Sequence, residues 1–200
     1  GDLAWAAGDM QARGFLLGGT AGRTTLNGEG LQHEDGHSHI LANTIPNCVS
    51  YDPTFAHEVA VIMHDGLKRM VERQENVFYY ITLLNENYAM PGLLPGTEEQ
   101  IIKGMYLCKP GADGDKRVQL LGSGTILRES LEAQTLLAAD WGVQADVWSC
   151  PSFNELTREG QDADRWNLLH PLETPRVPFV TRQLGSRSGP VVASTDYMKA

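Results

Sequence analysis

Residues 27–39 read NGEGLQHEDGHSH and set His33, His37 and His39, with Glu29, Glu34 and Asp35, among Gly28, Gly30 and Gly36. A connection only has to turn, and Gly, Pro, Asn or Ser do that without titratable groups. Imidazoles beside carboxylates instead exchange protons near neutral pH, bind metal or hold an anionic substrate. A functional loop is therefore expected here. Metal is the first chemistry to weigh, because His33-Glu34-Asp35-Gly36-His37 has the HExxH spacing of zinc hydrolases. That site needs a regular helix to bring the two histidines one turn apart, and Gly30 with the Asp35-Gly36 turn pair opposes one. Zinc hydrolysis is left as an outside alternative, and no metal ligands are assigned.

Other candidates are weaker. Gly122-Ser123-Gly124 is half of a dinucleotide fingerprint, but Leu127 stands where the third glycine belongs, so a strand-to-helix turn is the better reading. His57 and His64 share the polar face of a predicted helix with Glu58 and Asp65, and read as solvated or interfacial. Asn85-Glu86-Asn87-Tyr88 lies just past the carboxyl end of an apolar strand, where open α/β sheets collect ligands. His170 sits in a Pro-rich segment with no chemical argument beyond local structure. No Ser/His/Asp order, nucleophile elbow or phosphate loop is present.

These residues need elements to position them. Residues 2–12 are good helix formers ended by Gly14, and Phe15-Leu16-Leu17 reads as a short buried strand. Residues 48–51 are a second strand candidate. Over 54–73, Phe55, Val59, Ile62, Met63, Leu67 and Met70 fall on one helical arc, with His57, Glu58, His64, Asp65, Lys68 and Glu72 on the other. Asp52 is expected to cap that helix, with Pro53 at its first position. The apolar run 77–84, VFYYITLL, fits a parallel strand covered on both faces. From 85 to 114 the pattern breaks, with a short helix near 97–104. A second strand–helix–strand unit follows at 118–121, 125–140 and 145–148, then a helix near 152–158 and an apolar segment at 191–193.

The chain of 200 residues, 42% hydrophobic and 20% charged, can bury a real core. Its net charge of -9 argues against a nucleic-acid partner. Cys48, Cys108 and Cys150 are odd in number and far apart, which fits a reducing cytoplasm and neither a disulfide framework nor a zinc ribbon. No apolar run has the length of a membrane span. A start at Gly1 without Met, and too few strands for a complete sheet in either half, lead us to expect an internal fragment.

With GDLAWAAGD, TLNGEGLQHEDGHSH, IPNCVSYDP, EVAVIMHDGL, TLNENYAMP, QLLGSGTILRE, GQDADRWNLLHPLETPRVP and ASTDYMK in view, the whole chain resembles the thiamin-diphosphate-dependent decarboxylating subunit of the pyruvate dehydrogenase complex, homodimeric bacterial type. The segment 34–39 also resembles the E-D-G-x-T-H loop of transketolases. The resemblance implies an α/β fold with parts of two three-layer αβα domains of the transketolase type, mainly parallel. Residues 1–90 would be the later part of a pyrimidine-binding domain, 91–114 a linker, and 115–200 the start of a C-terminal domain. It implies decarboxylation of pyruvate and acetylation of the lipoyl group of dihydrolipoyl transacetylase, in a cytoplasmic homodimer. Glu29, His33 and His39 match catalytic positions, His33 and His39 for hydrogen bonding to substrate and proton transfer. Glu34, Asp35 and His37 are expected to bind substrate or order the loop. The main cofactor determinants, a GDG…Asn-Asn element and the glutamate that activates the aminopyrimidine, would lie before Gly1. Thiamin diphosphate and Mg2+ thus belong to the parent enzyme, and the fragment alone is expected to bind neither and to be inactive; a non-catalytic dimerisation or assembly fragment is the alternative.

Overall fold

The structure, a computed structural model, describes residues 1–26, 30 and 33–199. Its first half carries α1 (Asp2–Asp9), β1 (Phe15–Ala21), α2 (Ser38–Thr44), β2 (Cys48–Tyr51), α3 (Ala56–Leu67) and β3 (Phe78–Leu84). The strands form a parallel sheet in the order β1-β3-β2. The apolar run at 77–84 is accordingly the central strand. At one edge, β1 leaves Leu16 and Leu17 about half exposed, which corrects the expectation of a buried strand there; β2 at the opposite edge is buried throughout, because α2 packs on it.

The second half adds α4 (Glu98–Ile102), β4 (Tyr106–Lys109), β5 (Arg117–Gly122), α5 (Gly124–Trp141), β6 (Gln144–Ser149), α6 (Phe153–Leu169), α7 (Phe179–Leu184) and β7 (Val191–Ser194). Its sheet runs β4-β6-β5-β7, with β4 antiparallel and the rest parallel. Strand β4 was not expected from the Pro-rich pattern around it. The helix expected near 152–158 runs on to Leu169. Among the described residues, no helix is long and apolar enough to cross a membrane.

Helix α3 shows how local pattern and tertiary context differ. Its buried positions are Ile62 and Gly66 on the expected side, with Phe55 before it and Met70 beyond it, but also Glu58, which the helical arc places on the polar side. Gly66 is required by packing, since a Cβ there would meet the Phe15 ring at 2.8 Å and the Tyr79 ring at 3.1 Å. The two halves share apolar cores across their seam. Ile101 and Tyr106 pack with Tyr51, Ile62, Tyr79 and Ile81, while Phe55 packs with Val118, Leu127 and Val147.

Candidate functional site

The cap expected of Asp52 belongs to another carboxylate. Phe55 is the residue preceding α3, and Glu58 reaches back so that its Oε2 accepts from the amides of Thr54 at 2.6 Å and Phe55 at 3.0 Å. The second oxygen, Oε1, accepts from Tyr106 Oη at 2.8 Å and Ser149 Oγ at 2.5 Å. Four donors from both halves thus satisfy one fully buried carboxylate. His57 joins this group through Nε2, 3.1 Å from Tyr106 Oη, whereas His64 is exposed.

Asp52 does something else. Buried at the end of β2, it accepts from Thr82 Oγ1 at 2.6 Å and from Ser123 Oγ at 2.8 Å. Ser123 lies in turn 3.0 Å from Thr195 Oγ1. Gly124 adopts φ +49°, and a Cβ there would meet the Asp52 carboxylate at 2.5 Å, so only glycine lets the turn close on it. Burial pushes the Asp52 carboxyl up to about 6, against the two hydroxyl hydrogen bonds.

Beyond Thr82 stands His39, in the first turn of α2, with Nε2 3.5 Å from the threonine oxygen. Its ring meets Tyr197 edge-on at 4.4 Å and Tyr80 at 5.5 Å. Burial pushes the imidazole down to about 4, opposed by the Asp35 carboxylate. It is therefore neutral at neutral pH and able to accept a proton. Helix α2 is fixed from both ends. Asp35 Oδ1 accepts from the amides of His37 and Ser38, both at 3.0 Å, and Oδ2 accepts from the Ser38 hydroxyl. Burial would raise the Asp35 carboxyl, but those bonds and the nearby imidazole outweigh it and hold it below its ordinary value. At the far end, Arg158 of α6 donates to the helix-end carbonyls of Asn43 at 3.2 Å and Ile45 at 3.1 Å, and to the carbonyl of Cys48 at the start of β2 at 2.6 Å.

A cavity of about 1020 Å³ opens between the halves, walled by His39, Asp52, Ser123, Asn154, Thr195 and Tyr197 among others. The segment 195–198 closes one side. Asp196 accepts from the Thr24 amide at 3.0 Å and the Thr24 hydroxyl at 2.6 Å, and Met198 N donates to Gly36 O at 3.1 Å. Cys150 also lines the cavity, but burial and the Glu58 charge push its thiol well above the ordinary range, which makes it a poor nucleophile.

Of the residues singled out in the loop, His39 reaches the cavity and Asp35 shapes the helix that carries it. His33 and His37 are exposed, Glu34 is half-buried, and none of the three is in the cavity wall. Glu29 lies outside the described residues. No helix spans 33–37, so the HExxH spacing lacks the geometry zinc requires. The Asn85–Tyr88 stretch ties the halves together: Glu86 pairs with Arg128 at 2.6 Å, and that guanidinium lies 4.3 Å from the Tyr88 ring centre. His170 bonds Trp166 O at 2.8 Å and stacks on the Trp166 ring. Asp52, Thr82, Ser123 and Thr195 were not foreseen. A signal existed, because Asp52, Ser123 and Thr195 each fall just past the carboxyl end of a parallel strand, where open sheets gather ligands.

Comparison with known proteins adds the following. Residues 1–91 match the family described as the pyruvate dehydrogenase E1 component middle domain, and residues 104–200 match the transketolase-like C-terminal domain. The chain is 66% identical over its whole length to the pyruvate dehydrogenase E1 component of Escherichia coli K12, and 64% identical to that of Pseudomonas aeruginosa. It spans 22% and 23% of the length of those two curated relatives. Among solved structures, transketolase from Leishmania mexicana superposes with a TM-score of 0.67 at 14% identity, covering 98% of this chain and 25% of that one. At that identity the likeness establishes the fold, which is of the transketolase type.

Proposed function

We propose, for a chain whose residues 1–91 belong to the pyruvate dehydrogenase E1 middle-domain family and whose residues 104–200 belong to the transketolase-like C-terminal-domain family, that it forms one wall of the active site of a pyruvate dehydrogenase E1 enzyme. The observation that carries this reading is identity of 57–66% over the whole chain to relatives bearing that name. In the full-length enzyme, a cytoplasmic homodimer, the reaction is the oxidative decarboxylation of pyruvate with transfer of the acetyl unit to the lipoyl group of dihydrolipoyl transacetylase. Residues 1–90 serve as the pyrimidine-side domain and 115–200 as the C-terminal domain, with 91–114 joining them and lending β4 to the second sheet.

Thiamin diphosphate supplies the carbanion chemistry when bound. Among the described residues no group of three or more His, Cys, Asp or Glu is placed to hold a metal ion, and no residue of this chain is assigned to the Mg2+–diphosphate end of the cofactor. That end is held by the rest of the full-length enzyme. This chain's task is to orient substrate and manage protons. His39, neutral and set in the cavity wall, accepts a hydrogen bond or proton from the reacting substrate. His33 and Glu29 complete the acid–base set from the loop, while Glu34, Asp35 and His37 order it. An acid–base role of this kind predicts that His33→Ala in the full-length enzyme lowers turnover by at least about tenfold with the fold intact. Near-normal turnover would sink the assignment.

A second reading is that of an assembly fragment: the 200-residue chain alone assembles but does not catalyse. Calorimetric titration of the isolated chain with thiamin diphosphate and Mg2+ tests it: no saturable binding is expected, and micromolar binding would overturn the fragment reading.

A further inference from the structure

The buried polar chain behind His39 has a direction set by its hydrogens. Asp52 at neutral pH is ionised and can only accept, so Thr82 donates to Oδ1 at 2.6 Å and Ser123 donates to Oδ2 at 2.8 Å. A threonine hydroxyl carries one hydrogen. The Tyr51 carbonyl, 3.3 Å from Thr82 Oγ1, competes for it, but a charged acceptor at shorter range wins. Toward His39 Nε2, 3.5 Å away, Thr82 is therefore left as an acceptor. An imidazole facing a pure acceptor places its hydrogen on the nitrogen that meets it. The separation is long for a hydrogen bond, as is common for catalytic groups before a ligand tightens the site. Tyr197 and Tyr80 hold the ring plane between them, and the depressed basicity of His39 leaves it one ring hydrogen to place.

We propose that Asp52 is a positioning residue for His39: through the Thr82 hydroxyl it selects the Nε2–H tautomer and leaves Nδ1 as the open lone pair of the ring. The inference rests on the reading of His39 as a substrate-facing imidazole and adds which of its nitrogens receives the proton. Asp52 touches no reacting atom itself. Its influence passes through one hydroxyl on the central strand of the first sheet, at a point where the second half supplies the other donor to the same carboxylate.

Histidine-labelled protein resolves the two tautomers by two-bond proton–nitrogen correlation, with the His39 signals identified by their loss in His39→Gln. The expected wild-type spectrum is that of Nε2–H. Thr82→Val removes the acceptor with little change of shape and leaves the Ser123 bond in place. It is expected to cut the preference for Nε2–H roughly fivefold, equivalent to about 1 kcal/mol. Thr82→Ser is expected to keep the preference. A wild-type ring protonated at Nδ1, or a ratio unchanged in Thr82→Val, overturns the proposal. Turnover separates it from the reading beneath it: normal turnover of full-length His39→Gln removes the substrate-facing role and leaves the tautomer result standing.

Discussion

Two carboxylates six positions apart, Asp52 and Glu58, are both buried at the seam between the halves, yet they are satisfied in different ways. Glu58 has a donor for each of four lone-pair directions, two amides from its own helix start and two hydroxyls from β4 and β6. Asp52 has two hydroxyl donors and faces a cavity. A saturated carboxylate acts as a structural staple, because nothing else can be offered to it. A half-saturated one beside a cavity retains capacity to respond to its neighbours, and it is this one that connects to His39. Burial by itself does not distinguish the two. The count of donors and the open space beside them do.

The largest expected effect comes from Glu58→Ala, which leaves four buried donors without an acceptor. The loss is about 4 kcal/mol or more of unfolding free energy, read by urea denaturation. A loss under about 1 kcal/mol would mean that water replaces the carboxylate and that the staple description is wrong.

Asp52→Asn tests the other side of the contrast through pH. The folded-state pKa of Asp52, about 6, lies above its ordinary value of 3.8, so its contribution to stability is fully present below the ordinary value and is lost as pH rises through the folded one. The wild type should therefore lose about 3 kcal/mol relative to Asp52→Asn between pH 4 and 6, with no further change above. Parallel stability curves for the two proteins would show that Asp52 does not titrate in the folded state.

Asp35 gives the smallest effect and calibrates the pair, since it is a carboxylate with amide and hydroxyl donors that is not fully buried. Asp35→Ala removes a helix-start cap, and the expected loss is about 1 kcal/mol. A loss as large as that of Glu58→Ala would show that donor number outweighs burial. Asp35→Asn, which keeps an acceptor oxygen, should recover most of the loss.

Much of the architecture was legible in the residues. Apolar runs and helical arcs located β2, β3, β5, β6, β7, α3 and α5 within a few positions, because each is long enough for its own period to speak. Strand β4 was hidden. It is four residues long, sits among prolines, and exists because β6 offers it an antiparallel edge. The loop at 33–39 was legible as chemistry, and its glycines correctly opposed a zinc helix. Which of its histidines meets the cavity was not legible, since that depends on where α2 is held by Asp35 at one end and by Arg158, more than a hundred residues along the chain, at the other.

What the sequence determined by itself is the alternation of strands and helices, the acid–base character of the glycine-rich loop, and the family resemblance those stretches carry. What only the tertiary structure decided is the division of labour between Asp52 and Glu58. Asp-Pro before a helix reads as a cap, and a helical wheel assigns Glu58 to solvent, because both rules see one element at a time. The donors that bury Glu58 lie 48 and 91 residues away, and the serine that meets Asp52 lies 71 residues away. A buried charge is decided by the partners brought to it, and those partners are set by how the two sheets meet.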